Sequence, residues 1–266
     1  MQTPPSVVRA VTQRIKQHHF PTADSIFLCG SVVRGEASAT SDLDLVVLFA
    51  HVDHAWRESF VFESWPVECF CHDLETAEYY FTEMDRPSGI GALLHMVLDG
   101  TVVPNETQLS RQLRARAAAA HRDGPPAWGQ AETDYSRYTI SGLMDDLRGA
   151  EQRAERIAVA TVLYALLAQH VFRRRGTWSA HGKTILRRLR PLDAALAHDY
   201  ETAFANTFAH DEIDPLLALC ERIIAPDGGY LFAGYRTAAA PALRKPVPHD
   251  DAAYNIGLAT NFKRIS

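Results

Sequence analysis

The 266-residue chain is predicted to be α+β, a small mixed-sheet domain followed by an all-α helical bundle. Three observations predict this. Apolar runs of strand length are confined to the first ~105 residues, and helical periodicity takes over beyond residue 130. Between them, Asp123-Gly124-Pro125-Pro126-Ala127-Trp128-Gly129 is the best linker in the chain, because Gly and Pro punctuate both helix and strand. The expected division is 1–122 for the sheet domain, 130–240 for the bundle and 241–266 for an extended, proline-bearing tail.

Taken in order, Ser6 to Phe20 sets Val7, Val8, Val11 and Ile15 at helical spacing, with Pro4-Pro5 at its start and Pro21 as its stop. Ser25–Cys29 reads as a buried strand, broken by Gly30-Ser31. Asp42 to Phe49 is a second strand, and its start alternates, with Asp42 and Asp44 on one face and Leu43 and Leu45 on the other. His51 to Glu63 reads as a short helix or loop. Trp65 to Cys71 is a strand in which Pro66 fits only an edge or a start, with Glu68 and Phe70 sharing a face. Asp73 caps a helix over 74–84, with His72 as an exposed loop residue before it. A helix over 90–98 and a strand over 100–105 follow, and Asn105 with Gln108 starts a helix to about His121.

In the second half, Ile140, Leu143, Leu147, Ala150, Ile157, Thr161 and Tyr164 recur at three- and four-residue steps, with a break or bend expected at Gly149. Arg173-Arg174-Arg175-Gly176 ends that run with cations and a terminal glycine. A helix to about Leu189, one opened by Pro191 and one capped by Asp211 complete four or five bundle helices.

Two carboxylates on one face of a strand repel unless a cation sits between them, and Mg²⁺, which prefers oxygen ligands, suits Asp42 and Asp44. Backbone N–H groups at the Gly30-Ser31 turn, the Ser31 hydroxyl and the Arg34 guanidinium suit a polyphosphate beside it. The loop lacks the Gly-x-x-x-x-Gly-Lys pattern of P-loop proteins.

Gly30-Ser31, then Arg34-Gly35, then Ser41-Asp42-Leu43-Asp44 followed by apolar residues resembles the signature of the DNA polymerase β-like nucleotidyltransferase superfamily. The layout is similar to that of aminoglycoside (kanamycin-type) nucleotidyltransferases, which carry a helical second domain. The resemblance implies a third acidic ligand on a neighbouring strand, for which Glu68 is the candidate, and two Mg²⁺ ions held by Asp42, Asp44 and Glu68. It implies ATP or another NTP as donor, with Gly30, Ser31, Arg34 and Ser41 at the nucleotide and Lys183 reaching the triphosphate from the helical half. It also implies a carboxylate outside the triad as general base, for which Asp145 or Asp146 stands. The expected reaction moves AMP to a hydroxyl of a small molecule, an antibiotic among the candidates. Two alternatives remain: a protein acceptor, as in adenylylating antitoxins, and a nucleotide-binding protein without turnover.

Composition narrows the classes. A formal charge of −5 speaks against general nucleic-acid binding. No run of consecutive apolar residues approaches the ~20 that cross a bilayer, and the first residues lack a signal-peptide pattern. Cys29, Cys69, Cys71 and Cys220 show no zinc spacing and read as small buried hydrophobes. A cytoplasmic location is expected; the sequence leaves the oligomeric state open.

Overall fold

The structure, a computed structural model, describes residues 5–35 and 41–238. Helix α1 (Pro5–His18) leads into β1 (Ser25–Leu28), one turn of helix α2 (Gly30–Val33) and β2 (Leu43–Leu48). Strands β3 (Trp56–Phe62) and β4 (Trp65–His72) follow, then α3 (Leu74–Tyr79), a π-helical turn over Tyr80–Asp85, α4 (Arg86–Ser88), α5 (Ala92–Asp99), β5 (Thr101–Val103) and α6 (Gln108–Asp123). The sheet order is β3-β4-β2-β1-β5. β2 and β4 run parallel, and the other neighbours are antiparallel.

Strand alternation sorts the side chains into two cores. Ile26, Leu28, Leu43, Leu45 and Val47 pack against Val8, Val11 and Ile15 of α1. Phe27, Val46 and Leu48 face the other way, onto Phe81, Leu94, Val97, Leu113 and Ala117. All four cysteines are buried free thiols.

The helical half comprises α7 (Gln130–Gly149), α8 (Arg153–Arg174), α9 (Thr184–Leu192), α10 (Ala194–His210) and α11 (Asp214–Ile224). Helix α8 is long and apolar enough by composition to cross a membrane, with mean hydropathy 1.2 over its best window. Its Ala160, Leu163, Leu167 and Ala168 are instead completely buried among α7, α10 and α11, and it is the central helix of this core. Of the described residues, those up to Phe232 form one compact unit. The expected tail over 241–266 lies outside the described residues.

Several local expectations are corrected. Residues 56–62 form a strand, not a helix or loop, and pair with β4 through a two-residue turn at Glu63-Ser64, both at positive φ (48° and 69°). Such a turn matches the twist of a hairpin, but Asn-Gly is its usual signal and Glu-Ser carries none. His72 is the last residue of β4 and is buried, not exposed; burial pushes its imidazole down to about 4. Thr107 and Ser110, rather than Asn105 and Gln108, make the capping box of α6, because Thr107 is the extended residue at the helix entrance. Pro191 lies in the last turn of α9, and Asp193 caps α10 by accepting a 2.9 Å hydrogen bond from the Leu196 amide. Asp211 does not cap α11; it closes α10 in the left-handed conformation.

Candidate functional site

The parallel register of β2 and β4 sets Asp44 directly opposite Glu68. Alternation places Asp44 on the same side of β2 as Val46 and Leu48, and Asp42 is two residues before it, so three carboxylates converge at the strand entrances. One oxygen from each of Asp42, Asp44 and Glu68 lies within 4.8 Å of the others. Such a cluster is costly without a counterion. Burial, then the neighbouring Asp42 and Glu68 charges, raise the Asp44 carboxyl to about 6, against the smaller opposing pull of Arg34 and Lys183.

Gly30 shows why the turn before the triad needs a glycine. Its φ is +74°, and an added Cβ would come within 1.9 Å of Asp44 Oδ2. The backbone therefore passes directly over a carboxylate that any other residue would displace. One residue on, Ser31 Oγ donates to Ser41 Oγ at 3.2 Å, tying the turn to the residue before Asp42.

Residues 9–79 match the family model described as a nucleotidyltransferase domain. That match runs from α1 through α3, and so takes in β1, β2, β3 and β4. No curated protein matches the chain. A solved nucleotidyltransferase-like protein from Exiguobacterium sibiricum 255-15 is similar at 13% identity, covering 83% of this chain and 75% of that one, with a TM-score of 0.43. The matched stretch contains Gly30, Ser31, Asp42, Asp44 and Glu68.

Among the described residues, Trp178 and Ser179 join the helical half to the sheet half. Trp178 inserts into the core under the sheet, its indole N–H donating to His121 O at 3.2 Å, and the Ser179 amide donates to Gly89 O at 2.7 Å. These contacts anchor the turn that starts α9, where Lys183 is exposed and its charge is felt at Asp44.

The other predicted residues divide. Asp145 accepts hydrogen bonds from Tyr230 and Arg148, and Asp146 is exposed on the same helix; neither belongs to the three-carboxylate cluster. Arg173, Arg174 and Arg175 go to three separate partners. Arg173 is buried, donating to Pro126 O at 2.7 Å and lying over the Trp128 ring, while Arg174 pairs with Asp227 and Arg175 with Asp193.

Sequence reasoning missed Arg57. From β3 it donates to Glu68 Oε1, its Nε at 3.0 Å, and lies 5.1 Å from the centroid of Phe70. Its signal was the alternation of Trp56, Glu58, Phe60 and Phe62 around it. A second polar cluster was also invisible. Ser136 Oγ donates to His170 Nδ1 at 2.9 Å, and His170 Nε2 donates to Asp227 Oδ2 at 3.0 Å. The chain of groups is that of a serine hydrolase, but Ser136 lies mid-helix in α7, where backbone N–H groups are committed and none can hold an oxyanion. It also does not line the roughly 550 Å³ cavity beside His170 and Asp227. The cluster is a clamp between α7, α8 and residues 225–227.

Proposed function

We propose that the chain transfers a nucleoside monophosphate, AMP from ATP, to a hydroxyl of a small molecule in a Mg²⁺-dependent reaction. The observation that carries this is the convergence of Asp42, Asp44 and Glu68 beside the Gly30-Ser31 turn, inside the nucleotidyltransferase domain. The donor set fits the cation: three carboxylates, oxygen ligands only, one of them pushed up to about 6 by burial and then by its neighbours' charges. Asp42, Asp44 and Glu68 would hold two Mg²⁺ ions, whose chemistry is to neutralise a triphosphate and make an acceptor hydroxyl more acidic.

The chain's own groups do the rest. Gly30 lets the backbone approach, and the Ser31 and Ser41 hydroxyls offer hydrogen bonds to phosphate oxygens. Arg34 and Lys183, whose fields already act on Asp44, stabilise negative charge as it moves onto the leaving group. Arg57 holds one oxygen of Glu68 and so fixes that carboxylate in the cluster. The acceptor oxygen bonds to the α-phosphorus as the α–β phosphoanhydride breaks; pyrophosphate leaves with the bonding pair, and the hydroxyl proton goes to water. As with other phosphoryl-type reactions, positioning and charge stabilisation carry the rate.

In this reading residues 1–122 handle the donor, and residues 130–240 complete the acceptor side. A general-base role for Asp145 or Asp146 has no support in the geometry, since Asp145 is bound to Tyr230 and Arg148. An antibiotic acceptor and a cytoplasmic location rest on the sequence resemblance and composition alone. The test is pyrophosphate release from MgATP with a panel of hydroxylated compounds, with mass spectrometry of both the compounds and the protein fraction. An adenylylated small molecule that disappears in Asp44→Asn supports the reading. Labelling confined to a protein would replace the acceptor, and ATP binding without pyrophosphate under any condition would refute transfer.

A further inference from the structure

The sheet order sets the groups of the site in a line. The Gly30-Ser31 turn follows β1, Asp44 lies on β2, Glu68 on β4 and Arg57 on the edge strand β3. The triad therefore has two unlike ends. At one, backbone presses against Asp44, since an added Cβ on Gly30 would come within 1.9 Å of Asp44 Oδ2. At the other, a guanidinium is bonded to Glu68.

Several contacts hold that guanidinium. Glu68 lies directly opposite Ser59, and Phe70 directly opposite Arg57, so Arg57 reaches Glu68 along a diagonal of the β3–β4 pair. Its Nε, at 3.0 Å, and its Nη2 both donate to the same oxygen, Glu68 Oε1. The guanidinium lies 5.1 Å from the Phe70 centroid, and its charge is felt at the Tyr80 hydroxyl. The Arg57 and Glu68 side chains are 40% and 20% exposed, so salt screens the pair less than it would at an open surface.

Two donors on one oxygen fix where the carboxylate sits, and the charge behind them opposes a second cation there. A divalent cation that took Glu68 as a ligand would share that carboxylate with the guanidinium, and the two positive charges would repel at short range. A triphosphate brings negative charge that offsets this repulsion. The restraint on Glu68 is then what remains of the Arg57 contribution.

We infer that Arg57 is a positioning residue that holds Glu68 ready for a cation while keeping a free cation off that end of the triad, so that the cation there enters with the nucleotide. The inference rests on the reading of the triad as the Mg²⁺ site of nucleotidyl transfer. It amounts to a coupling between cation and nucleotide, which by linkage is reciprocal.

The test titrates the full chain with Mn²⁺ alone, read by electron paramagnetic resonance, and calorimetrically with magnesium α,β-methylene-ATP. Wild type, Arg57→Met and Arg57→Lys are compared, with Asp44→Asn as the blank for Mn²⁺ held elsewhere. Arg57→Met is expected to bind free Mn²⁺ at least about fivefold more tightly than wild type. It is expected to bind the magnesium analogue at least about tenfold more weakly, because Glu68 is no longer held. Arg57→Lys keeps the charge without the fork, so its free Mn²⁺ affinity stays within about twofold of wild type and its analogue affinity falls between the two. A merely structural role would weaken both ligands together. Trp56, Phe60 and Phe62 pack on the opposite face of β3, so the fold does not depend on the Arg57 side chain; Arg57→Gln is a second uncharged variant with the same expected pattern. Free Mn²⁺ binding that is unchanged or weaker in both uncharged variants would overturn the inference and leave the Mg²⁺ reading standing. No Mn²⁺ at the triad of any variant, and no analogue binding, would remove both. The opposed shifts without pyrophosphate release under any condition would keep the role of Arg57 and remove nucleotidyl transfer.

Discussion

The carboxylate triad and the Ser136–His170–Asp227 cluster are both polar groups packed against a core, and they are finished differently. In the helical cluster every charge and dipole has its complement. Arg174 neutralises Asp227, whose carboxyl lies below its ordinary value despite burial, and His170 bridges it to Ser136. At the triad, carboxylates face one another, Asp44 is held up near 6, and a backbone at positive φ presses over it. A satisfied network rigidifies a fold; an unsatisfied one is retained where a ligand completes it. The contrast distinguishes site from clamp more sharply than residue type, since the clamp has the more familiar catalytic trio.

The sharpest way to break that comparison is to remove one carboxylate from each. Asp44→Asn is expected to lower pyrophosphate release by at least about a hundredfold, since even groups supporting a metal ligand cost ten- to a hundredfold. It is also expected to raise the metal-free melting temperature at pH 7. The folded pKa of Asp44 lies above its unfolded value, so its ionisation subtracts stability as pH rises from 3.8 through about 6, and the amide escapes that loss. Asp227→Asn should do the reverse, costing about 1–3 kcal/mol in urea unfolding by stranding Arg174, with turnover within a few-fold of wild type. Equal stability losses in the two variants would erase the distinction.

Gly30→Ala comes next in size. A Cβ at positive φ costs about 1–2 kcal/mol, and here it also displaces the Asp44 carboxylate. Both lower stability and lower turnover are expected, measured by thermal melts and pyrophosphate release; an alanine variant with unchanged turnover would mean the approach of Gly30 to Asp44 is incidental.

The smallest effect is in acid. His72 and His95 are held near 4, below the unfolded value of 6.5, so they contribute stability above pH 6.5 that is lost as pH falls toward 4. Asp44 has the opposite sign over an overlapping window. In Asp44→Asn the acid loss should therefore be steeper than in wild type, which urea midpoints across pH 4–7 would reveal.

Much of this was legible in sequence because it depends on short-range periodicity. The spacing of Asp42 and Asp44 fixes their common face, and Gly30-Ser31 after an apolar run fixes the turn. Glu68 was legible as the odd carboxylate in an apolar strand, and the parallel register supplied its distance to Asp44. Arg57 was hidden because its strand is joined by a Glu63-Ser64 turn without the residues that mark hairpins. The separation of Arg173, Arg174 and Arg175 into three unrelated contacts is tertiary; consecutive helical residues point about 100° apart.

The most direct test of the central claim is diffraction from crystals of the full chain grown with Mn²⁺ and α,β-methylene-ATP, using manganese anomalous scattering. The account predicts anomalous density among Asp42, Asp44 and Glu68, at about the 2.0–2.6 Å from their oxygens that hard divalent cations adopt. Nucleotide density elsewhere, with no manganese at the triad, would contradict it.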